Sequence, residues 1–281
     1  MKNYHKYLEA ACSVLSTNPE FNVPDTVGYN AAKMLVDEFR SGFSSSFNGE
    51  VLGIPINLLD CDQGVVLVKD LFVIHEIALL IKIQELNKSS KFKNFFDFGA
   101  NIGLYSIFAS NLNLNVKSFE PDPITYDLFQ ANISENNINN GNLQTFNSAI
   151  WSSETELEFT RVVENRTASG ITKSGKNFYG ETNTFSVQCV NVNDVIKSDS
   201  IIKIDVEGSE LEIFNAILWE DISNVVLFIE LGSEEVRTGI FNTCQEKGLD
   251  LHSQMVGWEI ANNSSELPLS WRDGSIMVVK K

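Results

Sequence analysis

Basic residues are scarce. The 281-residue chain carries 21 Lys and Arg against 37 Asp and Glu, a net charge of −16, which argues against bulk attraction to nucleic acid or to an anionic membrane surface. A local basic patch remains compatible with that balance. The charge leans the substrate towards neutral or cationic groups, although surface charge can serve solubility alone. Long hydrophobic runs are lacking too: none approaches the ~20 residues that span a bilayer, and MKNYHKYLEAAC has no signal-peptide core. Cysteine is sparse. Cys12, Cys61, Cys189 and Cys244 are scattered, with no C-x-x-C pair and no nearby histidine partner, so reduced thiols and a cytoplasmic protein are expected. Internal repeats and low-complexity tracts are absent. What is there, 43% hydrophobic and 21% charged residues, is an ordinary globular composition. The length suits one generous domain or one domain with an appendage.

The chain is organised around residues 94–122, NFFDFGANIGLYSIFASNLNLNVKSFEPD. Phe95 to Phe98 is a short apolar run of the kind a central parallel strand, buried on both faces, requires. It contains Asp97 and is followed by Gly99, Asn101 and Gly103, which let the backbone turn sharply and approach a ligand with no Cβ in the way. Leu104 to Leu112 predicts a helix packed on a sheet. Val116 to Phe119 is the next strand, and Glu120 at its carboxyl end lies 23 residues after Asp97, about one strand-to-strand crossover. A carboxylate there can accept both hydroxyls of a ribose. The pattern points to a nucleotide-like ligand, although glycine turns also arise from packing alone. The dinucleotide fingerprint is only partly met, since Asn101 stands where the second glycine would be and leaves less room for a pyrophosphate.

Before this stretch, apolar positions at Tyr4, Tyr7, Leu8, Ala11 and Leu15 predict a helix. Asn22-Val23-Pro24-Asp25 is a turn, with Asp25 capping a second helix that runs to about Phe39. Glu50 to Leu59 and Val65 to Val68 look extended and can pair as a hairpin around Asp60-Cys61-Asp62-Gln63-Gly64. Residues 1–70 thus form a helical and hairpin extension that can cover the active site, make a homodimer contact, or both. Phe72 to Leu86 is an apolar helix containing His75 and Glu76; His75 there fits a crevice or solvent position as well as catalysis.

After Glu120, Pro121-Asp122-Pro123 ends the strand and starts a helix at Pro123. Leu143 to Phe146 is the third strand, with Ser148-Ala149 at its end. Glu156 to Arg161 and Phe185 to Val192 alternate as antiparallel strands. The polar stretch between them, VENRTASGITKSGKNFYGETN, is long enough to be functional or disordered. Ile201 to Val206 is the fourth core strand, with Ile201, Lys203 and Asp205 on one face. A lysine there must snorkel or be neutralised by a carboxylate such as Asp205. Glu207-Gly208 ends that strand and Ser209-Glu210 opens a helix. Val225 to Glu230 is the fifth strand, again ending in a carboxylate at the rim where open α/β sheets bind ligands. Val236 to Lys247 is helical with Gly248 as its C-cap. Leu249 to Val256 and Ser275 to Val279 form a closing antiparallel pair.

DFGANIGLYS, SFEPDP and IIKIDVEGSE, in that order and spacing, resemble the S-adenosylmethionine-dependent methyltransferases of the FkbM type over roughly residues 70–232. The resemblance implies an α/β fold: a class I methyltransferase Rossmann-like three-layer sandwich with a mostly parallel seven-stranded sheet, over residues 71–281. The closing hairpin fits that sheet better than a nicotinamide-type Rossmann domain. The implied cofactor is S-adenosyl-L-methionine, held by Asp97, Gly99, Ala100, Asn101, Gly103 and Asp205, by Glu120 on the ribose, and by Pro121, Ser148 and Ala149 around the adenine. Glu76 holds the methionine end or braces the glycine loop. NRTASG resembles a family segment near the acceptor pocket, which makes Arg166 and Ser169 substrate contacts unless they ride on a mobile surface loop.

The implied reaction is methylation of a hydroxyl on a sugar, glycan or other secondary metabolite, so the partner is a small-molecule or glycan acceptor. Methyl transfer from a sulfonium is an in-line displacement that chiefly needs placement, and a hydroxyl acceptor benefits from a base. Asp205 and Glu207 at the rim are the candidates, with Glu230 and His252 in reserve. Alternatively Asp205 only orders the cofactor site and Glu207-Gly208 only shapes the strand exit. Asp205 with Glu230 could also hold a divalent cation such as magnesium, though no spacing demands a metal. Two rivals stand beside this reading. One is a nicotinamide-dependent oxidoreductase, against which the incomplete glycine pattern and the closing hairpin tell; the other is a non-catalytic binding module.

Overall fold

The computed structural model describes residues 4–17, 22–43, 45–60, 63–138, 141–174 and 176–281. Helix α1 (His5–Thr17) buries Leu8, Ala11, Cys12 and Leu15, and α2 (Val27–Arg40) buries Tyr29, Ala32, Val36 and Phe39, in each case one stripe of a 3.6-residue period. Thr26, not Asp25, caps α2: its hydroxyl accepts the Tyr29 N–H at 3.2 Å. Asp25 precedes it in a left-handed turn.

The hairpin also departs from expectation. Strand β1 (Phe47–Val51) pairs with β2 (Ile54–Leu58) around Leu52-Gly53, whose φ values of 57° and 75° are those of a primed two-residue turn. A leucine in that turn is no turn signal, so the break between the strands is silent in the sequence. Val65–Val68 forms no strand and leads into a 3₁₀ turn at Val68–Phe72. Gln63 and Val66 bridge across a tight bend, while Cys61 and Asp62, also part of the expected turn, lie outside the described residues.

The rest alternates: α3 (Ile74–Lys88), β3 (Asn94–Phe98), α4 (Leu104–Asn111), β4 (Asn115–Phe119), α5 (Pro123–Glu135), β5 (Leu143–Phe146), β6 (Ala149–Trp151), β7 (Thr155–Val162), β8 (Gly170–Ile171), β9 (Thr182–Asn191), α6 (Val192–Val195), β10 (Ser200–Ile204), α7 (Glu210–Ala216), β11 (Val225–Glu230), α8 (Glu234–Lys247), β12 (Asp250–Ser253), β13 (Glu259–Ile260) and β14 (Ser275–Lys280). The main sheet runs β13-β12-β14-β11-β10-β3-β4-β5. It is parallel from β11 to β5 and antiparallel from β11 through β14 and β12 to β13. It is therefore a mixed sheet of eight strands rather than a mostly parallel one of seven. The extra strand, β13, is two residues paired with His252 and Ser253, too short to leave a period in the sequence.

A second sheet, β6-β9-β7-β8, contains the expected β7–β9 pair and two strands that were not foreseen. Ala149 opens its edge strand rather than closing β5. The polar stretch after β7 carries β8 and 3₁₀ turns at Arg166–Ala168 and Thr172–Ser174.

Strand β10 explains the layering. Ile201 faces a core shared with α3, α4 and the extension, while Ile202 and Ile204 face one built from α7 and α8. The first of these cores runs without a break from Leu8 and Phe39 through Phe72 and Ile77 to Phe95 and Phe228. Cys12, Cys189 and Cys244 are buried free thiols. Among the described residues no helix is long and apolar enough to cross a membrane. The parallel strands end at one rim, where Glu120, Asp205, Glu207 and Glu230 leave the sheet.

Candidate active site

Glu120 leaves β4 and is 7% exposed. One carboxylate oxygen accepts the Asn101 N–H at 2.9 Å and the other the Asp122 N–H at 2.9 Å. Each oxygen keeps a second lone pair. Burial pushes the carboxyl up to about 8, against the lowering pull of those two N–H groups. Asn147, missed in the sequence, donates its amide to the Glu120 and Pro121 carbonyls and so fixes the strand exit.

Asp122 holds the next turn. It accepts the Ile124 N–H at the start of α5 and takes Nε and Nη2 of Arg161 at 2.6 Å each. Breaking a buried pair typically costs about 3–5 kcal/mol, and Asp122 is 2% exposed. Asp122→Ala is expected to lose stability of that order in urea denaturation; a loss below ~1 kcal/mol, the scale of exposed pairs, would show that the pair is not buried in solution.

The glycine turn packs more tightly than a ligand alone would require. A Cβ on Gly99 would lie 1.8 Å from the Asp205 carbonyl oxygen, and one on Gly103 2.2 Å from the Phe129 ring. Both glycines also have positive φ, so protein contacts alone demand them. Asp97 sits behind the turn at 1% exposure. It accepts the Ser106 hydroxyl at 2.5 Å, and its other oxygen has no hydrogen-bond partner among the described residues.

Two chambers meet at Gly99, Asn101 and Asp205. The first is an open crevice of about 700 Å³, solvent included, between Glu120, Pro121 and apolar Phe119, Ile150, Phe159 and Ile171, with Ala149, Arg166 and Ser169 also lining it. The second, about 540 Å³, is bordered by His75, Glu76, Ala100, Tyr105 and Lys203. Asp97, Gly103 and Ser148 line neither. Ser169 uses its hydroxyl to accept the Val162 N–H. In the second chamber the Tyr105 hydroxyl donates to Glu76 and Lys203 lies 4.8 Å from the Tyr105 ring centre. Lys203 donates to Asp205 at 2.7 Å, the neutralising partner its burial requires. Burial works against its charge, yet Asp205, Asp97 and Glu76 together hold it above its ordinary value. Burial pushes the His75 imidazole down.

Beyond Glu207 opens a wider cavity of about 1580 Å³ that Glu207 and Ser209 share with the first chamber. Lys173, Lys176, Asn215, Glu230, Ser233 and Ser270 line it beside Trp151 and Leu211. Glu207 and Gly208 take successive positive φ values. Glu210, another residue the sequence did not single out, braces that turn by accepting the Val206 and Gly208 N–H groups. Lys176 donates to Glu207. Burial pushes Glu207 up to about 7, with Lys176 pulling the other way. Burial and then Asp205 raise Glu230 well above the carboxylate range. Oxygens of Asp205, Glu207 and Glu230 fall within 4.8 Å of one another, and Lys203 and Lys176 supply countercharge to two of them. His252 bonds the Trp258 carbonyl and lines none of these cavities.

A family model described as the methyltransferase FkbM domain matches residues 97–256, more than half of the chain and the whole span from Asp97 past Glu230. The chain belongs to the FkbM methyltransferase family. This FkbM protein is 27% identical to the methyltransferase sdnD of Sordaria araneosa over 197 residues, which cover 58% of this chain and 75% of that protein. The crystal structure of an FkbM methyltransferase from Methylobacillus flagellatus matches with a TM-score of 0.43 and 14% identity over 67% of this chain, which spans only 43% of that one. The methyltransferase domain of METTL16 matches with a TM-score of 0.44 and 11% identity, covering 95% of this chain and 90% of that one.

Proposed function

We propose that this methyltransferase uses S-adenosyl-L-methionine and methylates a hydroxyl of a sugar, glycan or other secondary metabolite. The observation that carries the donor is Glu120: a buried carboxylate, clamped by two N–H groups, with lone pairs left over, at the mouth of an apolar chamber. A ribose needs such an acceptor, and the apolar walls beside Pro121 suit an adenine. The chamber alongside, where Glu76, Asp205 and Lys203 stand in a largely apolar wall, offers both signs of charge for an amino-acid zwitterion. These residues fit the donor, which when bound supplies an electrophilic methyl on a sulfonium.

The chain's own residues do the rest. Asp205 and Glu76 complement positive charge, and the glycine turn, held against Asp205, keeps the two chambers in register. Glu207, facing both the donor crevice and the wide cavity, removes the proton from the acceptor hydroxyl. Arg166 and Ser169 wall the nucleoside side in this reading. Support for a hydroxylated acceptor comes from the wide cavity, where Lys173, Lys176, Asn215, Ser233 and Ser270 set hydrogen-bonding groups beside the apolar faces of Trp151, Leu211 and Val236. The nicotinamide alternative has no such support.

Titration calorimetry tests the donor: S-adenosylhomocysteine is expected to bind and NAD to give no heat, and the reverse would sink the assignment. A screen of hydroxylated acceptors with labelled donor, with and without EDTA, then tests the acceptor and whether the three carboxylates need a cation.

A further inference from the structure

The N-terminal extension reaches the donor turn through one side chain. Gln63 is 2% exposed, and its side-chain amide donates to the side-chain oxygen of Asn101. Asn101 is the turn residue whose N–H clamps Glu120, and it does so at a φ of 51°. Asparagine takes that left-handed conformation more readily than other residues with a Cβ, but it still needs its surroundings to hold it there. Gln63 is itself held. Its carbonyl accepts the Arg166 N–H at 3.3 Å and the neighbouring Val65 N–H donates to the Glu164 carbonyl at 2.7 Å. Gly64 bridges Asn165, so closely that a Cβ on it would lie 1.9 Å from the Glu164 oxygen. The bend at 63–66 is thus strapped to the 164–166 segment, and Arg166 of that segment walls the nucleoside chamber.

We propose that Gln63 is a positioning residue for the donor: anchored by this strap, it fixes Asn101 in the turn conformation that aims its N–H at Glu120. The proposal rests on the donor reading given above. Its logic is a relay of three contacts, Gln63 to Asn101, Asn101 to Glu120, Glu120 to the ribose. Only the first lies outside the sheet-and-turn machinery. The extension then contributes to donor affinity without touching the donor.

Calorimetry of S-adenosylhomocysteine on the full chain tests it with a double-mutant cycle. Gln63→Leu keeps the bulk and removes the donor group; about a tenfold weaker affinity is expected, the value of one ordinary hydrogen bond. Asn101→Gly removes the side chain that Gln63 holds, and glycine takes positive φ unaided. In the Asn101→Gly background, Gln63→Leu is therefore expected to change affinity less than twofold. Wild-type affinity in Gln63→Leu overturns the proposal. So does an equal loss in both backgrounds, the result that general destabilisation would give. If the wild type fails to bind S-adenosylhomocysteine, the donor reading falls first and this proposal with it.

Discussion

Glu120→Ala is expected to weaken S-adenosylhomocysteine binding about 10- to 100-fold, because charge-assisted hydrogen bonds contribute about 1.5–3 kcal/mol. The variant removes the acceptor for the ribose and also strands the Asn101 and Asp122 N–H groups that now point at it. Glutamine is no safe substitute, since its NH₂ would face one of those two donors.

The pH dependence carries a second signature. In the cofactor-free protein the Glu120 carboxyl titrates near 8 instead of 4.5, so at neutral pH it is mostly protonated. Hydroxyls donating to the carboxylate favour its ionised form, so binding below pH 8 releases a proton. Affinity then rises with pH, by up to tenfold per unit, and levels off above about 8. Folding responds with the opposite sign: between 4.5 and about 8 the folded state binds the proton that the unfolded state has lost. Glu120 thus lowers stability by about 1.4 kcal/mol per pH unit as pH rises through that window. Glu120→Ala is expected to flatten both slopes. An unchanged affinity slope in the variant would mean that another group, not Glu120, gains its charge on binding.

Which of these features could be foreseen follows from sequence separation. The β3 turn, Glu120 and the strand-end acids are local: apolar runs, glycines and a carboxylate at a strand exit are written in consecutive residues. The chief elements of the main sheet followed from them. What stayed hidden depends on contacts between distant segments. Lys176 meets Glu207 across 31 residues and Gln63 meets Asn101 across 38, and neither pairing leaves a period or a motif. The β1–β2 turn was hidden for a different reason, because Leu52 takes a positive φ that its residue type disfavours and only the paired strands enforce. Gly99 and Gly103 were legible as glycines but not in cause: a carbonyl and an aromatic ring fill the space beside them, and both come from other elements.

Glu207→Gln is expected to lower kcat by about 10²- to 10⁴-fold, the usual contribution of a positioned base, while S-adenosylhomocysteine affinity stays near the wild-type value. The sequence left Asp205 and Glu207 level as bases, and their surroundings separate them. Asp205 is committed to Lys203 at 2.7 Å; its neutralisation would leave a buried ammonium without its hydrogen-bonded counter-ion, so Asp205→Asn is a folding lesion before it is a catalytic one. Glu207 titrates near 7, where a base is both largely available and strong enough to take a proton. In the wild type, kcat/KM for the acceptor at saturating donor, where Glu120 is already ionised by the bound ribose, should climb about tenfold per pH unit below that value and flatten above it. The limb should vanish in Glu207→Gln. Lys176→Ala supplies the control: removing the cation that draws Glu207 downward raises its pKa, so the limb moves to higher pH with the plateau retained. A limb that survives in Glu207→Gln would assign the proton to another group at the rim, and Glu230, within reach of the same oxygens, would be the next to substitute.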